Sequence, residues 1–125
     1  MGLLSGILGM ASEVDSNQME SELQEILIEG ESIRHGFKLI RDLVVFTDIR
    51  LILIDKQGWT GKKKEYLCIP FRSIDFFSKE TTGTFDLDAE IKLWIKSRQE
   101  PISLEFRKDT HIHQVFRVLS ESVLS

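Results

Sequence analysis

Residues 85–96 read FDLDAEIKLWIK. Phe85, Leu87, Ala89, Ile91, Leu93 and Ile95 alternate there with Asp86, Asp88, Glu90, Lys92, Trp94 and Lys96. Successive side chains of a strand point to opposite faces, so the stretch predicts one long strand with a core face and a wet face. Just downstream, Ile102, Leu104 and Phe106 alternate with Ser103, Glu105 and Arg107. The repeated pattern predicts an antiparallel partner strand, joined through a hairpin over residues 97–101.

Upstream of this pair the same period of two, or continuous apolar runs, persists from Glu31 onward. Strands are expected at about 32–40, 43–47, 50–55, 63–69, 73–79, 85–96 and 101–107, which makes seven. Thr47-Asp48 interrupts two apolar runs and predicts a turn, because these side chains bond to nearby backbone. Gly58 and Gly61 bracket Trp59 in the next connection, and Thr82-Gly83 supplies a later one. Pro70 lacks a ladder donor and marks a strand end or a sheet edge.

Two helices flank the strands. The first is expected from Asp15 or Ser16 to Glu29, with Met19, Leu23, Ile26 and Leu27 on one face and Gly30 as its C-terminal cap. Glu20, Glu22, Glu25 and Glu29 make its other face acidic and solvated. The last helix starts near Asp109 as N-cap and presents Ile112, Val115, Phe116, Leu119 and Val123. The expected fold is therefore mainly β with flanking helices: a curved antiparallel barrel or sandwich over 31–125, one open end plugged by the last helix, and a helical extension over 1–30.

Composition narrows the function classes. The chain has 125 residues, 42 % hydrophobic and 29 % charged, which fits one globular domain and disfavours disorder. Its net charge of −4 lacks the footprint of a nucleic-acid binder. A lone cysteine, Cys68, cannot form an internal disulfide, which suits the reducing cytoplasm. The N-terminus MGLLSGILGMAS is apolar for too few residues to span a bilayer, which takes roughly 20 in a helix, and carries no Lys or Arg. Leu3, Leu4, Ile7 and Leu8 recur at helical spacing and need a surface to pack on. That surface is this domain, a neighbouring subunit or a membrane. The missing basic residues count against the membrane, and the subunit contact is the reading adopted.

The words FTDIRLILIDKQGWTGKKKEYLCIPFRSIDFFSKETTGTFDLDAEIKLWI (46–95) resemble the bacterial pleckstrin-homology-like (PH-like) domain family, formerly a domain of unknown function. The likeness rests on Asp55-Lys56-Gln57-Gly58 with Gly61-Lys62-Lys63, on Ile69-Pro70, and on Gly83 with Asp86, Asp88, Ala89 and Glu90 at this mutual spacing. It implies a PH-like barrel of seven antiparallel strands in two orthogonal sheets, capped by a C-terminal helix. It also implies assembly into ring-shaped homo-oligomers and no catalytic activity. Cys68 and Phe71 stand where the family more often has Ser and Tyr, so no role for those hydroxyls is carried over. Eukaryotic PH domains bind phosphoinositides through a basic first hairpin. Only Arg34, Lys38 and Arg41, next to Asp42, occupy that region here, and phosphoinositide binding is not carried over either.

Residue chemistry leaves two binding readings. Asp86 and Asp88, with Glu90, form a carboxylate row at about 6.6 Å spacing, which suits a basic neighbouring surface better than calcium, whose six to eight oxygens come from a folded loop. Together with outward Trp94 and the apolar Leu3, Leu4, Ile7 and Leu8, Asp86 and Asp88 are the candidate subunit contacts. Lys56, Trp59, Lys62, Lys63 and Lys64 form the alternative, a loop that could meet anionic lipid. His111 and His113 fall on different helix faces, so no zinc set is expected, and no cofactor or catalytic motif is present. The expected function is a non-catalytic cytoplasmic module that binds itself and an unknown protein partner. A peripheral membrane module is the alternative.

Overall fold

The structure, a computed structural model, describes residues 16–39, 42–57, 63–81, 89–106 and 112–125. Four strands form the first sheet in sequence order: β1 (Ile33–Lys38), β2 (Leu43–Thr47), β3 (Arg50–Gln57) and β4 (Lys63–Pro70), each antiparallel to the next. A single 3-10 turn at Phe71–Ser73 leads into the second sheet, β5 (Ile74–Glu80), β6 (Ala89–Ile95) and β7 (Ile102–Phe106), again an antiparallel meander. Helix α1 (Ser16–Leu23) precedes the sheets and α2 (Ile112–Leu124) follows them. Pro70 ends β4, an outer strand of its sheet, as its missing donor requires. The β2–β3 turn is pinned by Thr47, whose Oγ1 accepts from the N–H groups of Ile49 and Arg50 at 3.1 and 3.0 Å. Residues 85–88 of the longest expected strand, and Asp109, lie outside the described residues.

Alternation in the strands builds two apolar clusters. Phe37, Val44, Phe46, Leu51 and Ile69 of the first sheet meet Ile74, Ile91, Leu93, Leu104 and Phe106 of the second, and α2 adds Ile112, Val115, Val118 and Leu119. This is the main core. On the opposite face of the first sheet Ile33, Val45, Ile52 and Ile54 form a second cluster with Leu23 of α1, which is fully buried. Ile26 and Leu27 pack on its margin. The first sheet is thus covered on both faces.

The first helix ends six residues before the expected Glu29. The reason is competition for its backbone groups. Arg50 Nη2 donates to the Ile26 carbonyl at 2.9 Å, and the Ile28 N–H donates to Glu31 Oε1 at 3.0 Å. The Ile28 N–H, which a continued helix would pair with the Gln24 carbonyl, is thus held by a side chain, and the segment turns across the sheet instead. Gly30, at φ +86°, takes the left-handed conformation in this turn rather than as a cap on α1. The helix surface also differs from expectation at Glu22, whose carboxylate binds Lys64 and Tyr66.

Candidate functional site: the outer face of the second sheet

A bulge in β5 creates the most exposed aromatic surface among the described strands. Ile74 pairs with Ile95 and Phe76 with Trp94, so Asp75 is one residue too many for the ladder. Ile74 is buried in the main core, but the extra residue reverses the alternation and turns Phe76 outward, 57 % exposed. Phe77 then returns to the core and meets Phe116 of α2. Across the ladder Phe76 stacks on Trp94 with centroids 4.7 Å apart and planes 16° from parallel. Neither ring belongs to an apolar cluster.

The same face carries charge in register. Glu80 lies opposite Glu90, and Glu90 lies opposite Glu105, so three carboxylates cross the sheet in one row. Like charges directly opposed destabilise a sheet. The Ser103 hydroxyl donates to Glu90 and offsets part of this. In the next row Lys92 sits between Ser78 and Ser103, and beyond it comes the Phe76–Trp94 pair. An acidic edge, one lysine and an aromatic pair thus follow one another along β6.

Of the residues singled out in the sequence, Trp94 occupies this face as expected. Leu3, Leu4, Ile7, Leu8, Asp86, Asp88, Trp59 and Lys62 lie outside the described residues. Phe76, Glu80 and Glu105 were not singled out. For Phe76 a signal existed: in the doublet Phe76-Phe77 two adjacent strand residues cannot both face the core.

Of the lysine group, Lys64 has a partner within the fold. Lys63 and Lys64 lie within β4, and Lys56 lies opposite Lys64 in β3. Lys64 Nζ is 2.9 Å from Glu22 Oε2, and the Tyr66 hydroxyl donates to the same oxygen at 2.6 Å. Burial, then the bond and the charge of Glu22, push the Tyr66 phenol up to about 12. Replacing exposed Lys63 by alanine is expected to change stability by less than about 0.5 kcal/mol. Lys64→Ala should cost up to about 1 kcal/mol in urea unfolding, the upper range for an exposed ion pair.

Other clusters offer less. A cleft of about 220 Å³ opens between Arg34 and His35 of β1, Phe71, and the end of α2 at Glu121 and Ser122. Its hydroxyls at Thr47 and Ser122 already bond to backbone. Among the described residues no group of three His, Cys, Asp or Glu side chains could hold a metal. No helix among them is long and apolar enough to cross a membrane.

A family model described as bacterial PH domain matches residues 2–123. The chain belongs to the bacterial PH domain family. The match spans α1 as well as the two sheets, in keeping with the second cluster that α1 completes. Among relatives of this bacterial PH domain, Bacillus subtilis YjqA is 51 % identical over 121 residues, covering 96 % of this chain and 97 % of that one. A pleckstrin homology domain from Shewanella amazonensis superimposes with a TM-score of 0.81 at 46 % identity, over 91 % of this chain and 92 % of that one. A DUF1696 family protein with a pleckstrin-homology domain from Shewanella loihica gives 0.80 at 41 %, over 90 % and 96 %. The PH-like fold supports an interaction module.

Proposed function

We propose that this bacterial PH domain is a non-catalytic cytoplasmic module that assembles with copies of itself into a ring and presents a protein-binding surface. The outer face of β5–β7 carries the reading. It holds a stacked aromatic pair with Phe76 57 % exposed, whereas α1 covers the corresponding face of the first sheet. Exposed aromatic patches on a rigid sheet are characteristic of protein contacts. Self-association is supported by the family resemblance and by the apolar Leu3, Leu4, Ile7 and Leu8. Trp94, expected from the sequence at the subunit contact, is assigned here to the presented surface because it stacks on exposed Phe76, and the N-terminal segment keeps the subunit contact. The membrane alternative through Lys56, Trp59, Lys62, Lys63 and Lys64 is weakened because Lys64 is paired with Glu22.

Light scattering at micromolar concentration is expected to give a multiple of the 14.4 kDa chain mass. Deleting residues 1–12 should lower that mass while the far-ultraviolet circular dichroism of the fold persists. A species of one chain mass for the full-length protein would refute self-assembly.

A further inference from the structure

We infer that the outer face of β5–β7 docks a basic, partly apolar segment of another protein, with its cationic side chains over the Glu80–Glu90–Glu105 row and an apolar side chain on the Phe76–Trp94 pair. The inference rests on the reading of the chain as an interaction module and names the chemistry of its partner.

Charge decides the class of partner. Glu80, Glu90 and Glu105 are directly opposed in the ladder, an arrangement that weakens the sheet and is relieved when a cation is placed above it. Lys92 lies one row away and leaves the acidic edge in excess on these strands. Such an edge repels phosphate, so nucleic acid and anionic lipid do not fit this face. A bare cation would leave the aromatic pair uncovered. A peptide carrying both features covers the face.

Geometry sets the spacing. Glu90 and Trp94 are four residues apart on one strand, hence about 13 Å. Four residues of an extended partner span that distance, or about nine residues of a helical one at 1.5 Å each. Arginine suits both ends of the face, since its guanidinium pairs with carboxylates and also stacks on aromatic rings.

The test uses full-length protein with Trp59→Phe, so that Trp94 is the sole indole. Two fluorescein-labelled nonapeptides share the same leucines and phenylalanine, one with three arginines and the other with three glutamates. The arginine peptide is expected to bind by anisotropy, to change Trp94 emission and to weaken with salt, and the glutamate peptide is not. The double variant Glu80→Gln/Glu105→Gln should bind the arginine peptide about tenfold more weakly, the equivalent of 1.4 kcal/mol. Its melting temperature should rise by roughly 2–6 °C as the opposed charges are removed. Opposite signs for binding and stability separate a docking role from a structural one.

Unchanged affinity in the double variant, or equal binding of both peptides, would overturn the inference. So would a fall in assembly mass on Phe76→Ser, because the face would then be held by another copy of the chain. That last result leaves the ring reading standing. Conversely, arginine-peptide binding by a protein of single-chain mass supports the docking site while refuting the ring.

Discussion

Arg50→Leu is expected to destabilise the fold by about 3–5 kcal/mol, the cost of stripping one partner from a buried ion pair. Arg50 Nε and Nη2 donate to the two oxygens of Glu31 at 2.8 Å each, and the Glu31 side chain is fully buried. Leucine fills part of the space but leaves the carboxylate without its cation. The Ile26 carbonyl loses its donor as well. Urea unfolding at fixed protein concentration would measure the loss. The double replacement Arg50→Leu/Glu31→Leu should recover much of it, since no buried charge then remains.

The pair also sets an acid limit. Burial alone pushes the Glu31 carboxyl up, but the bonds from Arg50, Thr47 and the Ile28 backbone, with the Arg50 charge, outweigh it and hold the group below its ordinary 4.5. A carboxyl depressed in the fold binds protons more readily when unfolded. Its contribution is therefore complete above pH 4.5 and is lost as pH falls through the depressed value. Stability should decline less steeply below pH 4.5 in the double replacement than in the unmodified chain.

Leu23→Ala should cost about 2–5 kcal/mol, the range for emptying a fully buried leucine site. Leu23 is the last residue of α1 and is fully buried against Ile33, Val45, Ile52 and Ile54. A shift of the urea midpoint with an unchanged slope would confirm a packing loss within one cooperative unit. A cost below about 0.5 kcal/mol, the range of a surface change, would mean that α1 is a dispensable extension. The contrast with the deletion of residues 1–12, which should leave the fold intact, locates where the structural unit begins.

Much of the fold was legible because strand alternation reports burial directly. Ile91 and Leu93 face the core, and Glu90, Lys92 and Trp94 face outward, as their period of two requires. The apolar stripe of α2 was equally plain, with Val118 joining the expected face. Less of the site was legible. Phe76 sits two residues after a core isoleucine, and unbroken alternation would have buried it. Only the bulge at Asp75 reverses that parity, and a bulge depends on how two strands pair.

The sequence by itself determined the strand content, the inward faces and the closing helix, because these depend on periodicity within one segment. Tertiary structure decided what depends on pairs distant along the chain. Arg50 reaches Glu31 and Ile26 across 19 and 24 positions and ties down the segment that follows the first helix. Glu22 draws in Lys64 and Tyr66 from more than 40 positions away. Glu80, Glu90 and Glu105 become one row only through strand register. Local pattern is blind to register, since the energy that selects it belongs to the assembled sheet.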